Sequence, residues 1–139
     1  MKAITTYKNL LQLQEFSKAV SKVDGISDYH PVLKLNRLVK KALKGLDEFN
    51  EIVEDLRIDH CEKDNGRIVR VEGQLQWTAE GEKAFRKAYK ALMAQEVEVN
   101  YDEVLKYNEI LDILPGDFVK EANPWEDVEE FLSPFFINE

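Results

Sequence analysis

A chain of 139 residues and 16.2 kDa has the commonest single-domain size, large enough to bury about two thirds of the surface its unfolded form exposes. Hydrophobic residues at 44% and charged residues at 33% are ordinary globular values, and no apolar run approaches the roughly 18 residues of a membrane span, so a soluble protein without a membrane partner is expected. Met1 to Tyr7 lack the pattern of a secretory signal and the single Cys61 has no second thiol, which places one domain over residues 1–139 in a reducing cytoplasm.

The net charge of -8 hides a gradient. Residues 1–45 carry nine Lys/Arg against three Asp/Glu, residues 46–95 eight against eleven, and residues 96–139 two against thirteen: +6, -3 and -11. Either the acidic third docks on the basic third of the same chain, or it is presented to a basic partner or mimics nucleic acid. Internal or solvated charge is the simpler expectation.

Along the chain, Leu10, Leu13, Phe16, Val20 and Val23 recur at helical spacing from Thr6 to Lys22, with Thr5 or Thr6 as the cap and Asp24-Gly25 as the stop. Ser27-Asp28 and His30-Pro31 signal the next start. From Pro31 to His60, Leu35, Val39, Ala42, Leu46, Phe49, Val53, Leu56 and His60 alternate steps of four and three. That is the seam of one long packed helix, about 45 Å at 1.5 Å per residue. Gly45 in its middle marks a close crossing or a bend, with packing the preferred reason.

A third helix follows from Thr78 to Gln95, capped by Thr78, with Glu80 and Glu82 in its first turn and Phe85, Ala88, Tyr89 and Leu92 as its apolar positions. The second and third helices form an antiparallel hairpin. Between them, residues 67–72 and 74–77 are β-prone and predict a small β-hairpin, turning at Asn65-Gly66, at Glu72-Gly73 or at both. Glu96-Val97-Glu98-Val99 could supply a further strand to that ribbon. Asn100 and Glu103 resemble a capping box ahead of Val104, Tyr107, Leu111 and Leu114, a fourth helix ended by Pro115-Gly116. Asn123-Pro124-Trp125-Glu126 opens a short fifth helix that runs to Ser133-Pro134 and leaves an apolar tail, Phe135-Phe136-Ile137. The fold class is mainly α with a small β element (α+β): a long antiparallel helix hairpin carrying a β-hairpin, with additional packed helices.

Reactive chemistry finds little support. His30, His60 and Cys61, with Asp59 or Glu62, are the residues from which a metal site would have to be built. His60 and Cys61 are neighbours, however, about 100° apart on a helix, and no CxxC or HxxxH spacing occurs. Cys61 with either histidine is also the one nucleophile–base pair for a small hydrolase, with no orienting group or oxyanion donor nearby. The plainer reading makes Cys61 a small buried residue. Neither an enzyme nor a cofactor is expected.

Lys34, Arg37, Lys40, Lys41 and Lys44 line a basic face of the second helix, yet aromatic interleaving is missing and the whole chain is acidic, which disfavours direct nucleic-acid binding. The C-terminal segment stands out more. Trp125, Val128, Phe131, Leu132, Phe135 and Phe136 join aromatic anchors to a run of acids, Glu126, Asp127, Glu129 and Glu130, as helix-in-groove recognition does. They are the candidate partner-binding residues, for a protein partner or a second copy; the alternative is that they fold back into their own core.

Leu35-Asn36-Arg37-Leu38-Val39-Lys40-Lys41, the Asp64-Asn65-Gly66 turn, Gly73-Gln74-Leu75 and Glu96-Val97-Glu98-Val99 together resemble a group of small, functionally uncharacterised proteins of tailed bacteriophages, over roughly residues 33–104. These motifs carry no catalytic residues. The resemblance implies a phage-encoded protein in the cytoplasm of a bacterial host, either a virion or assembly component or an accessory factor that binds a host protein. Non-catalytic protein binding or self-assembly is therefore the expected function, with inhibition of a host defence system by acidic nucleic-acid mimicry as the first rival and a Cys61-dependent hydrolase as the second.

Overall fold

In the computed structural model, which describes residues 2–26, 28–101, 105–106, 109 and 128–137, the chain opens with a strand. Strand β1 (Lys2–Thr6) runs straight into helix α1 (Tyr7–Ser21), and Thr6 joins them: its extended backbone ends the strand while its Oγ1 accepts from the Asn9 N–H at 3.2 Å. Helix α1 buries Leu10, Leu13, Phe16 and Val20, four of the five apolar positions that its spacing predicts, together with Tyr7; the fifth, Val23, lies beyond the helix end and is only partly buried. It ends at Ser21, and Gly25 takes φ +80° in the loop beyond.

The expected thirty-residue helix is two helices, α2 (His30–Ala42) and α3 (Gly45–His60). At the break the Leu43 N–H still donates to the Val39 carbonyl at 2.8 Å, whereas Lys44 N–H donates to Lys41 at 3.3 Å, the shorter spacing of a tightening last turn. Leu43 keeps near-helical angles, φ -70° and ψ -9°. The buried positions Leu35, Val39, Ala42, Leu46, Phe49 and Val53 keep the same sequence spacing on both sides of the break, so periodicity alone cannot reveal it. At Gly45 a Cβ would stand 3.1 Å from Val99 Cγ1 and 3.5 Å from Leu10 Cδ1. The missing side chain lets two other segments come close, as a packing glycine does.

The chain divides into two compact units, Met1–Gly45 with Glu96–Glu139, and Leu46–Gln95. In the first unit β1 pairs antiparallel with β6 (Glu96–Asn100), Lys2 opposite Asn100 and Thr6 opposite Glu96. This corrects the expectation that residues 96–99 extend the central ribbon. Their apolar alternation fits any sheet with one covered face, and the partner lies ninety or more residues away. Ala3, Thr5 and Val99 turn inward. Above them α1 packs on α2, and Asn36 Oδ1 accepts from Ser17 Oγ at 3.0 Å and Ser21 Oγ at 3.3 Å across the two helices. Asn100 ends β6 instead of capping a helix, and Leu105–Lys106 (β7) pairs in parallel with Phe136–Ile137 (β8), a strand where the fourth helix was expected. Pairing overrides the local capping signal there. The rest of that predicted helix, Val104, Tyr107, Leu111 and Leu114, and the predicted start of the fifth at Asn123–Glu126 lie outside the described residues. The fifth helix itself, α5 (Val128–Leu132), is present and packs on α1, followed by a 3-10 turn at Ser133–Phe135.

The second unit is continuous in sequence. Helix α3 leads through two short ribbons, β2–β3 (Lys63–Asp64, Arg67–Ile68) and β4–β5 (Arg70–Val71, Gln74–Leu75), to helix α4 (Ala79–Met93). Both predicted turns are used. Asn65-Gly66 and Glu72-Gly73 each have positive φ at both positions (52° and 79°, 53° and 79°), the type I′ geometry that matches strand twist. Glu62, Val69 and Gln76 knit the ribbons together through backbone bonds of 2.8 to 3.2 Å. Thr78 Oγ1 caps α4 by accepting from Gly81 N–H at 3.0 Å. The start of α4 lies against the end of α3, where a Cβ on Gly81 would overlap the His60 carbonyl oxygen, and Phe49 near the start of α3 meets Tyr89 near the end of α4 at 6.1 Å. Those two contacts make the pair antiparallel, as the sequence predicts for this half of the seam.

Candidate interaction surface

The C-terminal aromatics divide. Phe131, Leu132 and Phe135 are at most 1% exposed. Phe131 meets Phe16 of α1 edge-on at 5.6 Å, and Phe135 meets Tyr101 in the same way at 5.4 Å. Each buried side chain of this size contributes about 1.5–3 kcal/mol by leaving water, so these three serve the core of their own unit and present no surface. Trp125 and the side chains of Val128 and Phe136 lie outside the described residues. Of the two readings open at the sequence level, folding back is the one realised by the residues that can be placed.

The same unit answers the charge gradient. Lys2 Nζ lies 3.3 Å from Glu98 and Lys34 Nζ 3.5 Å from Glu109, so basic residues of the first third pair with acids of the last third. Exposed pairs of this kind contribute about 0–1 kcal/mol each. Their significance lies in local neutralisation. A groove of about 370 Å³ beside the α2–α3 break is lined by Lys41, Ala42, Lys44, Gly45, Glu98, Val99 and Asn100; both signs of charge line it, which suits neither a polyanion nor an acidic mimic.

No reactive pair emerges among the described residues. Cys61 is a buried free thiol whose Sγ lies 3.4 Å from the Ile58 carbonyl, a helix-end contact and not a nucleophile–base pair. His30 is exposed and bound to Asp28: Asp28 Oδ1 accepts from the His30 backbone N–H at 3.0 Å and lies 2.8 Å from its Nδ1. The backbone bond, with the ring beside it, holds the Asp28 carboxyl below its usual range. This is a local turn that leads into α2, in open water. No group of three His, Cys, Asp or Glu side chains converges as a metal site among the described residues, and no helix there is long and apolar enough to cross a membrane.

What remains is a ribbon that the sequence reading missed. The β1–β6 pair is a two-stranded sheet with Ala3, Thr5 and Val99 covered, and with Ile4 65% exposed at the centre of its outer face, opposite Glu98. Both outer edges carry strand backbone without hydrogen-bond partners among the described residues, the condition under which a further strand can add. The available signal was Ile4-Thr5-Thr6, three β-branched residues in a row before the first helix. A second apolar feature sits at the start of α2, where Tyr29 and Leu33, one turn apart, are 51% and 49% exposed. In the second unit Trp77, Phe85, Tyr89 and Phe49 form a row with ring centroids 5.1 to 6.1 Å apart, of which only Phe49 is fully buried. No protein-family model matches the chain, and neither a curated protein nor a solved structure does.

Proposed function

We propose that this chain is a non-catalytic protein-binding or assembly protein, of the kind that its resemblance to small tailed-phage proteins implies, acting in the cytoplasm of a bacterial host or in the virion. The β1–β6 ribbon is the observation that supports this reading best: strand edges unpaired among the described residues and a 65% exposed isoleucine are affinity elements for another polypeptide. The aromatic row of Trp77, Phe85 and Tyr89 adds partly exposed surface of the composition that interfaces favour. The rival reading, acidic mimicry of nucleic acid, draws on the -11 charge of residues 96–139. Against it stand the ion pairs Lys2–Glu98 and Lys34–Glu109, which turn part of that charge onto the chain's own lysines.

The test is capture from bacterial lysate with the tagged full chain, paired with a native mass measurement, at low and at high salt. Protein binding through strand edges and apolar surface persists at high salt. Mimicry would be lost as salt rises, because screening shortens the reach of exposed charge. Alkylating Cys61 without unfolding the protein leaves binding intact; an activity destroyed by alkylation would instead revive the hydrolase. A monomer that captures nothing at either salt concentration would contradict the proposal.

A further inference from the structure

We infer that β1 is a self-pairing edge: two copies of the chain join antiparallel along Lys2–Thr6, with Ile4 of one copy facing Ile4 of the other. The inference rests on the protein-binding reading above and names its partner. The two-stranded sheet has two candidate edges, and charge chooses between them.

In an antiparallel pair, directly opposite residues share a face of the sheet. Ala3 and Thr5 are covered by the unit's core while Lys2 and Ile4 are exposed, so a second β1 must align covered residues with covered ones. The register that does this and also pairs all five residues sets Lys2 against Thr6, Ala3 against Thr5 and Ile4 against Ile4. No like charges meet. The central pair is two β-branched apolar side chains, a favourable cross-strand combination, and each Lys2 is already neutralised by its own Glu98 at 3.3 Å. The same two-fold operation on β6 would set Glu98 against Glu98, a like-charge opposition that disfavours pairing.

The covered face does not obstruct the join. Val97 and Val99 alternate inward along β6, and the Ser133–Phe135 turn packs against β1 and, through Phe135, against Tyr101 just beyond β6. On the outer face of β1 the Ile4 side chain stays 65% exposed, and the outer edge of the strand has no backbone hydrogen bond among the described residues. Pairing would give a four-stranded sheet, β6–β1–β1–β6, with Ile4 of both copies at its centre. Five paired residues per copy bury less than the about 1,000 Å² of a stable dimer, so the association is weak and grows with concentration.

Sedimentation of the full chain over a concentration series tests this, with two pairs of variants. Ile4→Lys suits the monomer, since the residue across the ribbon is Glu98, but opposes two cations in the pair; it should weaken association about tenfold or more with the circular dichroism spectrum unchanged. Ile4→Cys in a Cys61→Ser background should form a cross-linked dimer on mild oxidation, because directly opposed residues of an antiparallel pair have Cα atoms about 4.5–5.5 Å apart, within the range of about 4.4–6.8 Å that a disulfide spans. Glu98→Cys in the same background should not. A chain that stays monomeric throughout overturns the inference, and if it still captures another protein the binding reading survives without it. A dimer unaffected by Ile4→Lys and not cross-linked through Ile4→Cys also overturns it and moves the interface elsewhere.

Discussion

The two units solve the burial problem differently. Met1–Gly45 with Glu96–Glu139 assembles its core from segments far apart in sequence, β1 with β6 and α1 with α5, and reaches near-zero exposure for Leu10, Leu13, Phe16, Leu35, Leu38, Phe131, Leu132 and Phe135. Leu46–Gln95 is a continuous helix–ribbon–helix whose buried side chains are few: Leu46, Phe49, Val53, Cys61 and Leu92. Its aromatic row is half exposed. A hairpin of local contacts forms readily but buries little; the discontinuous unit carries the larger apolar interior and, with it, most of the stability expected from burial.

Deleting residues 128–139 breaks this contrast most severely. It removes Phe131, Leu132 and Phe135, three of the most buried side chains, and should abolish cooperative unfolding of the first unit, as followed by near-ultraviolet circular dichroism. A truncated protein that keeps its folding transition would show that these residues are surface after all. Next in size, Phe16→Ala should cost about 3–5 kcal/mol in denaturant unfolding, whereas Phe85→Ala, at a half-exposed site, should cost clearly less. Equal losses would erase the distinction between the units.

Gly81→Ala probes the second unit where it is tightest. The added Cβ meets the His60 carbonyl, a backbone atom with no rotamer to change, so a loss of about 1–3 kcal/mol is expected. Gly66→Ala offers a useful contrast: it meets nothing in space and is disfavoured only by its φ of +79°.

What could be read from the sequence follows the range of the interaction. The helices α1 and α4, their Thr6 and Thr78 caps and both I′ turns are set by residues within a few positions of one another, and spacing and turn chemistry report such contacts directly. The break at Leu43–Lys44 leaves the sequence spacing of the buried residues uninterrupted and so leaves no trace in the seam. Strand β1 depends on a partner in residues 96–100, and five residues before a strong helix signal are too short to declare themselves. For Phe131 and Phe135, apolarity announces burial without saying against what. The candidate surface was missed for the same reason: Ile4 becomes informative only once its neighbours Ala3 and Thr5 are seen to face inward.

Two smaller effects refine the picture of the first unit. Thr5 is 4% exposed and its Oγ1 has no hydrogen-bond partner among the described residues, so Thr5→Val, nearly the same shape without the polar atom, should raise the unfolding free energy by about 1 kcal/mol. An unchanged or lowered value would mean that the hydroxyl is satisfied. The smallest effect belongs to Asp28. Its carboxyl is held below the ordinary value of 3.8, so its contribution is present above that value and is lost as pH falls through the lower folded one. Asp28→Asn should therefore differ from the parent in melting temperature near pH 7 and converge with it in strong acid.

The open ribbon is the centre of the account, and amide hydrogen exchange across Lys2–Thr6 and Glu96–Asn100 measures it most directly. In dilute solution alternate amides of both strands should be protected by their mutual pairing, while the outward-facing ones exchange fast. Raising the protein concentration should slow the outward amides of β1 and leave those of β6 unchanged. Slow exchange of every β1 amide in the dilute monomer, or slowing at β6 instead of β1 on concentration, would contradict it.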